Sequence, residues 1–242
     1  TQQAESMAVA HSHHYLQQLG QRLDAVRRAE RDALRWVDNH FDNVILAWHQ
    51  AVDTAATEDL AAATPCLMFY VDHRGRNLEG LALMRAALDS PALVARPHPW
   101  ARLAACAARM SLQIDRVDDA RSLARRSMAI AQHAGDVPTQ QMCAGLLGMC
   151  DVFEGREDEE GWLQRALDLA ERTGDVRQRA NALGNLAFAA SRRSELDQAV
   201  ALRRQSLQLV RELGDRAAEA LTLNNLGVHH IVRGEFGAAD EV

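Results

Sequence analysis

Three Gly-Asp dipeptides, Gly135-Asp136, Gly174-Asp175 and Gly214-Asp215, stand 39 and 40 residues apart, and each closes a similar stretch of chain. A fixed period of this length belongs to stacked units that bury their apolar faces on one another, not to a fold around one central core. From Arg179 to Arg192, Ala180, Leu183, Leu186, Ala187 and Ala190 recur at helical spacing. Ser194-Glu195-Leu196-Asp197 then reads as a helix start, with Ser194 as N-cap and Asp197 at the third helical position. Ala199, Leu202, Ser206, Leu207 and Val210 follow on one face. Gly214 supplies a left-handed stop, and Asp215 caps the next helix. Each unit is therefore two antiparallel helices joined by tight turns.

Other stretches fit this template. Leu147-Gly148, Gly155 and Arg165-Ala166-Leu167 match it with one residue deleted, and Asp115, Ala120 and Arg126-Ser127-Met128 match it at an offset of 79. An earlier unit reads Leu67, Gly75, Gly80 and Ala87-Leu88. A last one starts at Asn224-Asn225-Leu226-Gly227, turns at Gly234 and stops at Val242 inside its second helix, which predicts further repeats beyond it. Pro91, Pro97 and Pro99 predict a longer loop over Ser90–Pro99, ahead of a helix beginning near Pro99. Before Thr57 the pattern lengthens into helices over roughly 4–28 and 30–53, with Asp42-Asn43 a candidate restart after His40. The division expected is an N-terminal helical subdomain or cap over 1–56 and repeats over 57–242, about four plus a truncated last one.

Composition narrows the function. The net charge of −6 argues against a nucleic-acid-binding surface on this segment. All 27 basic residues are Arg, so a Walker A loop and a Schiff-base lysine are both excluded, and a GC-rich bacterial genome is the expected source of the bias. No apolar run reaches the roughly 18 residues of a membrane span, and Thr1-Gln2-Gln3-Ala4-Glu5 lacks the character of a signal peptide. A cytoplasmic location is the expectation. Cys66, Cys106, Cys143 and Cys150 form no CxxC pair and read as reduced, mostly buried thiols. No nucleophile–base motif, HExxH or glycine-rich phosphate loop is present, so no catalysis is expected.

Asn225-Leu226-Gly227, Gly234 and Ala238-Ala239 resemble the tetratricopeptide repeat (TPR): a Leu-Gly pair, a turn Gly, then a small residue on the second helix. The spacing resembles the extended repeats of kinesin light chains and of peptide-sensing bacterial regulators. The implied fold is all-α, a TPR-like right-handed superhelix with an N-terminal helical subdomain. A second resemblance runs over residues 11–90: His11 to Leu16, Glu30, Trp36, Asp42-Asn43, Ala47-Trp48, Phe69, Arg74-Gly75, Glu79-Gly80 and Ala87-Leu88. It is similar to the segment after the nucleotide-binding module of bacterial multidomain signal-transduction ATPases, including LuxR-type and antibiotic-regulatory-protein-type regulators. Val44-Ile45 stands where that family more often has Leu-Arg. The resemblance implies a sensor arm with no cofactor of its own, ATP being held by a neighbouring ATPase domain, and with output domains as intramolecular partners.

In the TPR comparison the residue before the Leu-Gly pair faces the concave groove. Those positions here are Cys66, Cys106, Leu146, Asn185 and Asn225, with Asn181 one turn before Asn185. An amide presents both an acceptor and two donors, so Asn185 and Asn225 either hold the backbone of an extended peptide or bond neighbouring helices. Phe69, Asp72, His73, Arg102, Arg109, Gln113, Met149, Phe153, Phe188 and Arg192 are further groove-facing candidates. Arg102 and Arg109, two turns apart, either receive a carboxylate or phosphate or pair with local acids. The partner expected is a peptide, protein or small-molecule effector; a scaffold or self-association arm, homodimers included, is the alternative. His11 and His14 share a helix face without a metal-binding set around them, and Glu157–Glu160 reads as a solvated helix start. Trp36, Trp48, Trp100 and Trp162 read as packing between helices.

Overall fold

The computed structural model describes residues 2–156, 158 and 161–232, and the side chains among them except those of 2–5, 229, 230 and 232. Among the described residues every regular element is helical. The order is α1 (Gln2–Gly20), α2 (Leu23–Arg27), α3 (Arg31–Asp53), α4 (Thr57–His73), α5 (Asn77–Leu88), α6 (Pro91–Val94), α7 (Pro97–Gln113), α8 (Val117–Ala134), α9 (Val137–Phe153), α10 (Trp162–Thr173), α11 (Val176–Arg192), α12 (Leu196–Glu212) and α13 (Arg216–Val232).

The turns are built as the sequence directs. Gly135, Gly174 and Gly214 all take positive φ (69°, 68° and 62°), where a side chain would be strained. The aspartates after them cap the helices that follow: Asp136 accepts from the Thr139 amide at 3.2 Å, Asp175 from Gln178 at 2.9 Å and Asp215 from Ala218 at 3.1 Å. Asp158 accepts from the amides of Trp162 and Leu163 at 2.7 and 2.8 Å at the start of α10. Glu157, Glu159, Glu160 and the turn at Gly234 lie outside the described residues.

The corner inside each unit is left-handed too, at Gly75, Asp115, Gly155 and Ser194, with φ of 62–69°. This corrects the reading of Ser194 as an N-cap. The Ser194 amide bonds back to Ser191 and that of Glu195 to Ala190, so the corner finishes α11, and α12 starts at Leu196 without a side-chain cap. Two further expectations change. The Ser90–Pro99 loop contains the short α6, capped by Ser90, and α7 begins at Pro97. Prolines at 97 and 99 are tolerated because the first four amides of a helix have no intrahelical acceptor. At the N-terminus the first helical stretch breaks at Gly20 and resumes as α2, whereas α3 runs unbroken through Asp42-Asn43.

The repeat register is visible in a recurring hydrogen bond. Ser127 Oγ donates to the Ala101 carbonyl at 2.7 Å, and Ser206 Oγ donates to Ala180 at 2.8 Å, both partners shifted by the same 79 residues. The bond fixes the second helix of a unit on the first.

The helices divide into two compact units between Thr139 and Gln140. Inside the first, α1 packs on α3 and α4, α2 on α4, and α3 on α4 and α5, so the 56/57 boundary suggested by the sequence lies within this unit. Trp48, fully buried, donates from Nε1 to the Leu83 carbonyl at 2.8 Å, and Trp100 donates to Leu88 at 3.2 Å. Asp38 on α3 accepts from Tyr70 at 3.0 Å and from Arg74 in a two-pronged bond at 2.9 and 2.5 Å. Inside the second unit, α10 packs on α11, α11 on α12, and α12 on α13. Leu163 of α10 presses onto Gly148 of α9 so closely that a Cβ there would sit 2.5 Å from Leu163 Cγ. All four cysteines are buried, and none is in a disulfide.

Gly148→Ala is expected to destabilise the second unit by about 1–3 kcal/mol through overpacking, read as a lower urea midpoint without a change in slope. The Arg74 guanidinium beside Asp38 is the main cause holding its carboxyl below the usual range. A depressed carboxylate contributes stability above its unfolded pKa and loses it as pH falls through the folded one. The acid limb of a thermal-stability profile should therefore flatten in Asp38→Asn.

Candidate functional site

In the first unit, α4 and α7 bring four of the candidate groove residues together. Phe69 is half-buried on α4, and the guanidinium carbons of Arg27 and Arg109 each lie 5.3 Å from its ring centroid. Cations at this distance are drawn to the negative face of the ring. Arg109 Nη2 also donates to Asp72 Oδ2 at 3.0 Å, and Gln113 Nε2 to Asp72 Oδ1 at 3.2 Å. The open alternative for Arg109 thus resolves as an internal pair with Asp72. Arg102, two turns earlier, is exposed and makes no ion pair among the described residues. His73 is exposed at the last turn of α4. Nearby, Arg22 stacks on Trp36 at 3.9 Å, and Trp36 stacks on His40 at 4.6 Å.

Cys66 and Cys106, expected on the groove face, are instead buried. At Cys66 the reason is visible: α2 packs on α4. Burial pushes the Cys66 thiol up to about 12, against the opposing influence of Arg22 and Arg27. It stays protonated at neutral pH and is a poor nucleophile.

In the second unit the asparagines stand on α11 and α13. Asn181 is exposed, with its amide 3.5 Å from Gln178 Oε1. Asn185 is half-buried, and its Nδ2 lies 3.3 Å from where a Cβ on Gly145 would be. Gly145 thus leaves room for the Asn185 amide against α9, and that amide makes no hydrogen bond among the described residues. Asn225 is half-buried on α13. Phe188 packs with Met149 and Leu186 on Val152, Leu163 and Ala189, and its ring centroid lies 5.8 Å from that of Phe153, which is 48% exposed. Arg192, at the end of α11, is exposed. The second unit therefore combines the Asn185 amide, without a hydrogen bond among the described residues, with a partly exposed aromatic pair.

The sequence reading passed over Arg203. It lies on α12, is 8% exposed, and its Nε has no hydrogen-bond partner. The available signal was the repeat register, in which the matching residues of the other units are apolar. Among the N-terminal histidines, His11 bonds Gln50 at 2.9 Å, and its neighbour His13 lies 3.1 Å from Asp59. The side chains of His229 and His230 lie outside those described.

Asp72→Ala should change stability by less than ~1 kcal/mol, since its pair with Arg109 is open to solvent; equilibrium urea unfolding measures this.

No protein-family profile matches the chain, and no curated protein matches it. Solved structures do. The fold is similar to the crystal structure of BtubC (BKLC) from P. vanneervenii, with a TM-score of 0.61 and 18% identity, over 81% of this chain and 85% of that one. It is similar to the apo form of RapI, with a TM-score of 0.54 and 11% identity, over 93% of this chain and 72% of that one. Both neighbours are TPR-like helical-repeat proteins, and the likeness establishes the fold of this chain as all-α and TPR-like.

Proposed function

We propose that the chain is a non-catalytic sensor module that takes a peptide, protein or small-molecule effector on the first-helix faces of its repeats. The observation that carries this reading is the pair Asn185 and Asn225, on successive first helices, the Asn185 amide left without an internal hydrogen bond. An unpaired, half-buried amide is costly to keep in a fold and useful to a ligand backbone that satisfies it. Phe153 and Phe188 give the same unit an apolar contact surface. Groups of this kind, a few polar anchors among apolar walls, suit a ligand site.

The resemblance over residues 11–90 supports a finer form of the proposal. The chain is the cytoplasmic sensor arm of a bacterial multidomain transcriptional regulator, and effector binding biases an ATPase or output domain. Among the described residues no helix is long and apolar enough to cross a membrane, which accords with that setting. A scaffold or self-association arm is the second reading. Leu221, Val228 and Ile231 favour it, being 63%, 51% and 54% exposed on α13.

Selection from a random library of extended peptides separates the two. The sensor reading expects enrichment that Asn185→Ala/Asn225→Ala reduces at least about tenfold, the value of one or two lost amide hydrogen bonds. Enrichment indifferent to both asparagines removes the peptide clamp, and a concentration-dependent mass in light scattering supports self-association.

A further inference from the structure

The second helices of the repeats share one register. Aligned on Ala87-Leu88, Ser127-Met128, Ala166-Leu167 and Ser206-Leu207, the position three residues earlier is Met84, Ala124, Leu163 and Arg203. Met84 and Ala124 are fully buried and Leu163 is 1% exposed, so this position is core in the other units. Arg203 keeps the position and the burial, at 8% exposed, but brings a charge. No acid meets it: Arg203 makes no hydrogen bond or ion pair among the described residues. Burial alone lowers its pKa, the mark of a cation without a counter-charge. The fold gains nothing from the guanidinium that a methionine or leucine would not supply, and a lone buried charge is destabilising.

The place where the guanidinium ends gives it a use. Its Nη1 lies 3.2 Å from where a Cβ on Gly184 would be, so the missing side chain on α11 accommodates it. Gly184 is itself half-buried. Its counterpart one unit earlier, Gly145, has the Asn185 amide of the next first helix against it, whereas against Gly184 stand Arg203 and Ser206 of α12. The Arg203 stem lies between Val200 and Leu207, which pack on Leu223 and Leu226 of α13. The charged tip therefore reaches from α12 onto α11 at Gly184, next in sequence to Asn185.

We propose that Arg203 is a receptor for a carboxylate that the effector inserts over Gly184. One guanidinium and one carboxylate match in charge and in planar, two-pronged geometry, and the pair leaves no net charge buried. A phosphate dianion would leave one behind. The inference deepens the proposed function by naming the chemistry of one anchor, and it rests on that reading only for the carrier of the carboxylate, an acidic side chain or a free C-terminus.

The test uses the whole chain, 15N-labelled. The Nε–Hε resonance of Arg203, assigned by its loss in Arg203→Met, is followed through a titration with sodium acetate against sodium chloride at equal ionic strength. A saturable shift with acetate alone, weakened about tenfold or more in Gly184→Ala, is expected, since the new Cβ displaces the tip. No shift, or one that chloride reproduces, overturns the proposal. Arg203→Met should unfold at the same or higher urea concentration; a large loss of stability would make Arg203 a structural residue and also overturn it. The peptide selection separates the two readings. Selected peptides whose affinity ignores both Arg203→Met and removal of their carboxylates sink this inference and leave the groove standing. An acetate response with no peptide enriched sustains the Arg203 site and removes the peptide groove.

Discussion

A pair of helices has apolar residues on more than one side, and only neighbouring pairs can cover them. The rest of this structure follows from that requirement. Each chain reversal must return the next helix to the same side of its predecessor, and outside the α5–α7 connection the corners of the repeats use a left-handed residue, whether glycine at 75, 135, 155, 174 and 214 or Asp115 and Ser194. Once the corners are fixed, small residues set how closely the helices approach. Gly148 admits Leu163, and Ser127 and Ser206 bond the carbonyls of the helix beneath.

The same logic places the candidate site. Both helices of a unit leave part of their surface open, and polar residues on the open part of a first helix have no obligation to pack. Asn181, Asn185 and Asn225 accumulate there in the second unit. In the first unit the corresponding face is covered at Cys66 by α2, while Arg109 and Gln113 pair with Asp72 beside the Phe69 ring. The two units thus treat one structural position differently, closing it in one and leaving it polar and half-open in the other.

What could be read from sequence was what local chemistry decides. The Gly-Asp pairs announced a left-handed stop and a cap four or fewer residues away, and the structure realises them at Asp136, Asp175 and Asp215. Ser194 misled because an N-cap and the closing corner of the preceding helix favour overlapping residue types, and only backbone geometry separates them. Asp42-Asn43 looked like a break, yet Phe41, Val44 and Trp48 bury one continuous face and packing carries α3 through it. The fate of Arg109 was hidden for another reason: its acid, Asp72, lies on a different helix, 37 residues away. Arg203 was legible only by comparing units, since nothing in its own neighbourhood marks the position as core.

A stacked array differs from a single-core protein in how it distributes a defect. Each unit touches only its neighbours, so an unfavourable residue weakens its own junctions and leaves distant ones alone. The charge at Arg203 is such a defect, seated on α12 against α11. In a protein with one shared core, a mispaired cation would lower the stability of the whole molecule and be selected away. Here duplication has produced spare copies of the same structural station, and one copy is free to give up cohesion for a different occupation while the others keep the chain folded.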